Sequence, residues 1–338
     1  MSRHIGIDLH RNNFSSCILS SNGRYYHRRW SLSHLNIFVS KLRKSDVIAV
    51  EMTGNTRLFY DSVRPYVQGV RVVNPYQFKV ISESVKKTDA HDAQMLALFS
   101  SKGMLPEVRM KDKTQSQIAS LTQTRDKLVK LRTALKNKIN NICAAHGVML
   151  KREALGSDKK LDEILSMAFD VLVLAELQVL VDQIRSLNKS ISQLEDTIKK
   201  EGSKLKGYDN LLSMTGIGAL SASILLSVIG EIKDFKNEGK LASYFGIVPR
   251  IEQSNQTLRS GSITKRGSKL GRTTLVQCAL VAKMYSPYLS DYYERIKARR
   301  GSGKAIIAMA RKFLGIIYQT LQNGWMFEDF PNFVLADV

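Results

Sequence analysis

The sequence predicts a fold of class α/β plus α. A mixed sheet with helical cover occupies the first hundred residues, a long coiled-coil hairpin follows, and a compact, mostly helical region ends the chain. Three observations predict this. Short alternating or continuous apolar runs interleave with helix-period runs over residues 4–100. Apolar residues then recur at heptad spacing across residues 121–198. Beyond residue 207, helical runs flank a Ser/Gly/Arg-rich stretch, residues 243–272. The expected boundaries are 1–112, 113–206 and 207–338.

Each element follows from its own pattern. His4 to Leu9 places Ile5, Ile7 and Leu9 on one face of a strand and Asp8 on the other. Phe14 to Ser20 and Tyr25 to Trp30 flank Asn22-Gly23, a strong hairpin signal. Ser33 is placed to cap a helix that carries Leu35, Phe38, Val39 and Leu42. Val47 to Val50 is a continuous apolar run, the mark of a strand buried on both faces, and it ends at Glu51. A helix near Thr56 to Tyr66 and a strand at Val70 to Val73 follow, closed by Asn74-Pro75. In the helical middle, Leu121, Leu128, Leu135 and Ile142 repeat every seven residues. Leu177, Leu180, Ile184, Leu187, Ile191, Leu194 and Ile198 fill a second stripe. Periodicity leaves open whether these helices pair within one chain or join protomers.

Composition bounds the partners. The 338 residues are 43% hydrophobic, enough for two or three cores. The longest apolar candidate, Val171 to Val181, is broken by Glu176 and Gln178, short of the roughly 20 residues of a membrane span. The N-terminus leads directly into a strand pattern without a signal-peptide core. Cys17, Cys143 and Cys278 lie far apart with no metal-ligand spacing, which argues against zinc and for a reducing compartment, the cytoplasm by default. Net charge is +21, and 14 Lys/Arg face only three acids between Arg250 and Lys312. That density is the footprint of a phosphate-backbone partner.

The acids carry the chemical question. Asp89 and Asp92 stand three apart behind Lys86 and Lys87 at the head of an apolar run. Asp89 as N-cap with Asp92 at the third helical position is one reading. The other is half of a metal site, since this spacing puts both side chains on one face. Asp8 and Glu51 lie on buried strands, where an unpaired acid is costly. Both strands fit the parallel centre of a ribonuclease-H-like sheet, on whose edge a later helix can lay its acids. An all-oxygen cluster suits Mg²⁺ or Mn²⁺. His10 and His91 beside these acids read as hydrogen-bonded, non-catalytic imidazoles. ATP-binding domains that also begin GIDL have a Gly/Thr-rich phosphate loop next, whereas here the chain continues His10-Arg11-Asn12-Asn13.

GIDLH (6–10), VEMTGN (50–55), VVNPYQFK (72–79) and KKTDAHDAQMLA (86–97) together resemble the Asp-Glu-Asp-Asp transposases of the insertion-sequence-110 type, which include the Piv-type DNA invertases. MTGIGALSASILLSVIGEI (214–232), LASYFGIVPR (241–250) and GSITKRGSKLGRTTL (261–275) resemble the C-terminal domain of the same family. The resemblance implies a RuvC-like N-terminal domain with Asp8, Glu51, Asp89 and Asp92 as its acidic tetrad. It also implies a serine nucleophile after the FG-x-VP motif, where Ser254 is the matching residue and Ser260 and Ser262 are the alternatives. Asn255 replaces the family's usual glycine after that serine, and Asn tolerates the left-handed backbone nearly as well. Arg250, Lys265, Arg266, Lys269 and Arg272 flank the serine as expected phosphate contacts. Gly216-Ile217-Gly218 reads either as a phosphate-binding helix-hairpin-helix turn or as a tight helix connection.

The resemblance further implies donor and target DNA as substrates, a structured guide RNA from the element, and a homotetramer arranged as a dimer of dimers. The expected function is therefore a mobile-element transposase or site-specific recombinase that exchanges strands through a 5′-phosphoserine intermediate. A junction-resolving nuclease using the same acids and water is the alternative, and a non-catalytic nucleic-acid scaffold is a third.

Overall fold

The computed structural model describes residues 3–75, 77–78, 88–151, 153–254 and 257–335. It divides into two compact units, Met1–Lys111 and Asp112–Val338. Among the described residues no helix is long and apolar enough to cross a membrane.

The first unit is built on a six-stranded sheet: β1 (His4–Leu9), β2 (Asn13–Leu19), β3 (Tyr25–Ser31), β4 (Val47–Glu51), β5 (Gly69–Val73) and the short β6 (Glu107–Val108). Their spatial order is β3-β2-β1-β4-β5-β6. β1, β2 and β3 form an antiparallel meander, β1, β4 and β5 run parallel, and β6 closes the edge antiparallel. This is the mixed sheet that the sequence predicts, with β6 added; two residues are too few to leave a periodic signal. At the β2–β3 turn Gly23 takes φ +79°, and Asn22 Oδ1 accepts the Arg24 amide.

The two-residue period sorts the sheet's faces. Ile5, Ile7, Leu9, Phe14, Ile48 and Val50 pack on one side against Phe38 of α1 (Leu35–Val39) and Phe59 and Val63 of α2 (Thr56–Val63). Each such side chain contributes about 1.5–3 kcal/mol on full burial. Ser31, rather than Ser33, caps the turn that leads into α1, by accepting the Ser33 amide.

The opposite face carries Gly6, Ala49 and Val73, covered by α3 (Asp89–Ser101) through Ala93, Leu96 and Ala97. α3 lies so close to β1 that a Cβ on Gly6 would stand 1.9 Å from the Ala93 carbonyl oxygen and 2.5 Å from the Ala97 amide nitrogen. Glycine in GIDLH is therefore a packing requirement: it lets the helix backbone rest directly on the strand.

In the second unit α4 (Lys113–Ala145) and α6 (Val171–Gly202) form an antiparallel hairpin, with α5 (Asp158–Leu165) at the connection. The heptad stripes meet within one chain: Ile139, Ile142 and Cys143 pack with Leu177, Val181 and Ile184. Arg125 Nε donates to Glu195 at 2.8 Å and Arg132 to Asn188 at 2.8 Å along the seam. The remaining helices, α7 (Tyr208–Leu212), α8 (Ala219–Ile229), α9 (Glu238–Phe245), α10 (Lys269–Tyr285), α11 (Pro287–Arg300) and α12 (Ser302–Asn323), enclose a core of Met214, Leu225, Phe245, Leu275, Met309 and Phe313. Gly216 has φ +103°, and a Cβ there would lie 2.7 Å from backbone atoms of α10. The first glycine of the GIG turn thus serves helix packing.

Between α9 and α10 a two-stranded ribbon, β7 (Pro249–Ser254) and β8 (Thr257–Ile263), extends from the helices. Its roots interlock. Gly246, at φ +68°, presses on Arg266, whose carbonyl oxygen would lie 2.0 Å from an added Cβ. Gly267, at φ +94°, stands in the same relation to the Tyr244 carbonyl at 2.1 Å. Only glycine fits either position, which explains FG and KRG in the two motifs.

Candidate active site

Asp8 and Asp89 meet at the C-terminal end of β1, with Asp92 one turn further along the helix, while Glu51 ends the neighbouring strand and is not in that close group. Asp8 follows Ile7, which pairs with Val50, so Asp8 and Glu51 occupy the next level of two adjacent parallel strands. They share the parity of Gly6 and Ala49, and so belong to the face that α3 covers. α3 brings the other two: Asp89 is its first residue and Asp92 is buried one turn on.

The helix cap is Thr88, not Asp89. Thr88 has extended backbone angles, φ −137° and ψ 146°, and its Oγ1 accepts the His91 amide at 3.2 Å. Threonine meets the capping need, so neither aspartate is spent on the cap, while the helix N-terminus still favours their charge. The capping-box reading of the sequence is corrected accordingly. Lys86 and Lys87 lie outside the described residues.

His10 stands between the acids. Its Nε2 lies 3.2 Å from Asp8 Oδ2 and 3.4 Å from Asp89 Oδ1. Asp8, His10 and Asp89 each offer a ligand atom, and these atoms all fall within 4.8 Å of one another. Burial pushes the Asp8 carboxyl above the ordinary carboxylate range; His10 pulls it back, and the charges of Asp89 and Asp92 push it further up. A carboxylate buried among like charges calls for a cation, and this donor set fits a divalent metal ion.

The loops around the site are tied to one another. Asn55 Nδ2 donates to the carbonyls of His10 and Arg11 at 3.1 and 2.9 Å, which joins the segment after β1 to the segment after β4. Thr56 Oγ1 donates to the Glu51 carbonyl at 3.0 Å and accepts the Thr53 amide at 2.7 Å. Asn55, Thr56 and Thr88 are the supporting residues that residue-by-residue reading missed, while His10 is the hydrogen-bonded imidazole it expected. The signal was there for two of the three, since VEMTGN and KKTDAHDAQMLA hold Asn55 and Thr88.

In the second unit Ser254 ends β7, with its backbone opposite Thr257. Ser260 lies opposite Ile251, and Ser262 falls where the register shifts. Arg250, Ser260, Ser262, Lys265, Arg266 and Lys269 are exposed. Lys265 adopts φ +54° at the ribbon's root. Arg272 is directed inward instead, and its Nη1 donates to the Phe245 carbonyl at 3.2 Å. It ties α10 to the end of α9.

Comparison with known proteins covers both units. Residues 5–145 match a family model described as "Transposase", of the DEDD type named for insertion sequence 110. Residues 208–294 match "Transposase IS116/IS110/IS902 family". The chain is 26% identical to the transposase for insertion sequence element IS1111A of Coxiella burnetii, across 94% of this chain and 89% of that protein. It is 24% identical to the transposase for insertion sequence element IS1328 of Yersinia enterocolitica, across 96% and 98%. It is 25% identical to the pilin gene-inverting protein of Moraxella lacunata, across 96% and 97%. Two matched segments in family order and relatives aligned along nearly the whole chain lead to one conclusion: the chain belongs to the IS110/IS116 family of transposases, enzymes that cleave DNA and transfer its strands.

Proposed function

We propose that this transposase exchanges DNA strands of its insertion element through a serine-linked intermediate, with Ser254 as nucleophile and Mg²⁺, or Mn²⁺ in its place, held by Asp8, Glu51, Asp89 and Asp92. The observation that carries this reading is the meeting of Asp8, Asp89 and His10 at the end of β1. A divalent ion held there would polarise the scissile phosphate and offset the charge that develops on it. His10 bridges the Asp8 and Asp89 carboxylates and so fixes their mutual arrangement. Ser254 Oγ bonds to phosphorus, the bond to the 3′ oxygen breaks, and the serine proton ends on that oxygen. The product is a 5′-phosphoserine and a free 3′ hydroxyl. Attack by a second 3′ hydroxyl reverses the step and releases the serine, so no ATP is consumed. Arg250, Lys265, Arg266 and Lys269 hold backbone phosphates beside the serine.

The acting species is a dimer of dimers in which the acids of one protomer serve the serine of another. A structured RNA from the element selects donor and target DNA by base pairing, a division of labour known from other RNA-guided proteins. The site is expected in the cytoplasm, where the chromosome lies.

The test is capture of the adduct. Incubated with a duplex carrying the element's end, the full-length protein with its co-purifying RNA yields a phosphoserine-linked oligonucleotide, which peptide mass spectrometry maps to Ser254. Ser254→Ala abolishes the adduct and retains Mn²⁺ binding, while Asp8→Asn loses both. DNA breaks without any adduct would mean that water is the nucleophile, and the serine mechanism would be wrong.

A further inference from the structure

A row of side chains leads away from the acids across the meander. Asp8 pairs with Ser15 on β2, and Ser15 pairs with Arg29 on β3. Residues directly opposite in a sheet share a face, so Arg29 stands on the same side as Asp8. α3 rests chiefly on β1 and β2 and leaves the outer strand open, where His27, Arg28 and Arg29 are exposed. There a groove of about 540 Å³ runs between the meander and the start of α3, lined by Ser15, His27, Arg29, Thr88 and Asp89 among others.

The bland explanation for arginines on an outer strand is protection against edge-to-edge pairing. It serves for Arg28, whose guanidinium lies 4.2 Å over the Trp30 ring on the opposite face. Arg29 differs. Among the described residues its side chain makes no hydrogen bond or ion pair, and it is absent from the groups that act on the Asp8 carboxyl. Among the described residues nothing neutralises its charge. A free guanidinium and a carboxylate centre at the two sides of one groove suit a partner that is anionic along its length and brings its own cation to the acids.

We infer that Arg29 binds a backbone phosphate of the DNA strand that the acidic site cuts, one or two nucleotides from the scissile phosphate. The inference rests on the proposed function. Two strand spacings put the Arg29 and Asp8 backbones about 10 Å apart, and a strand advances about 3.4 Å per nucleotide, so the arginine's reach covers the neighbouring phosphates. The planar fork of five donors grips two phosphate oxygens at once, which fixes the strand's register before cleavage. Arg29 is a positioning residue, because it acts on the substrate away from the bond that breaks.

Methylphosphonate scanning tests this. Each phosphate within four nucleotides of the cleavage point is neutralised in turn in a duplex carrying the element's end, and cleavage by the full-length protein with its co-purifying RNA is timed. With wild-type protein, one substitution next to the scissile phosphate slows cleavage about ten- to hundredfold, the scale of a charge-assisted hydrogen bond. Arg29→Ala slows the unmodified duplex by a similar factor and is indifferent to that methylphosphonate; Arg29→Lys recovers part of the rate. Mn²⁺ affinity by calorimetry and the melting temperature stay at wild-type values. Arg29→Ala that keeps the full wild-type methylphosphonate pattern overturns the inference. If the lost sensitivity maps instead to a phosphate of the uncut strand, the assignment to the cut strand is wrong. Normal cleavage by Asp8→Asn overturns the proposed function itself, and so separates the two failures.

Discussion

In the first unit Asp8 and Asp92 are less than a tenth exposed, held by a strand and a helix whose backbones touch at Gly6. In the second unit the residues before and after the ribbon's turn, Arg250 to Gln253 and Arg259 to Ser262, all face solvent. The acids are set in a core, and the serine proposed to work with them sits on a two-stranded ribbon. Isolated hairpins are at best marginal in water, and this one is fixed at its roots, where Gly246 and Gly267 interlock with Arg266 and Tyr244. The contrast suits the tasks. Carboxylates that share an ion need an arrangement built before the ion arrives, because reorganisation during the reaction costs rate. A serine that must meet a phosphate on a large, shaped substrate is better carried on an element that the substrate itself can seat.

Three changes break or sharpen this contrast. Gly6→Ala has the largest expected effect: the helix must move off the strand, at a cost of about 3 kcal/mol or more. In urea denaturation the first unit then unfolds early, and calorimetry finds no Mn²⁺ binding. Retained Mn²⁺ affinity in Gly6→Ala would show that the acids do not depend on this docking, and the contrast would fail.

Asp8→Asn comes next and works through pH. The folded Asp8 carboxyl titrates above the ordinary range because it is buried, and the unfolded one titrates at about pH 4. Below that pH the group is protonated in both states and costs nothing. As pH rises through the raised folded value, ionisation penalises the folded form, so stability falls. Without metal, Asp8→Asn therefore melts above wild type at pH 7, and the gap closes toward pH 4. Added Mn²⁺ raises the wild-type melting temperature and leaves the variant unchanged. Thermal melts at the two pH values, with and without Mn²⁺, check each sign.

Thr88→Ala is the mildest. Loss of the cap costs about 1 kcal/mol and lets the first turn of α3 fray, so Asp89 is held less firmly than Asp92. Amide exchange at His91 is expected to quicken while exchange at Leu96 stays slow.

Much of this was legible in the sequence, unevenly so. The two-residue period placed Asp8 opposite the apolar face of β1, and the apolar run placed Glu51 at the end of a buried strand. Both follow from local pattern. The cap assignment went to Asp89 because threonine and aspartate serve equally well there; the choice is made by the extended backbone of Thr88. His10 read as a bystander because its neighbours in the chain do not show that Asp89 comes within 3.4 Å. Gly6 had no visible reason until α3 was seen resting on it. Arg272 read as a phosphate contact on charge alone, whereas the structure directs it to the Phe245 carbonyl. Apart from the cap, which the local backbone of Thr88 decides, the missing information was a contact between distant segments. The segment holding Lys86 and Lys87, and Asn255 after the serine, lie outside the described residues.

The seating of α3 on Gly6 also sets an order of events at the ribosome. A nascent chain that has emerged only as far as β5 displays Asp8 and Glu51 without Asp89 and Asp92, which arrive on the helix that follows. An aborted translation product ending there carries most of the sheet but half the carboxylates. The proposed set of carboxylates is thus completed only once α3 has emerged and settled on β1.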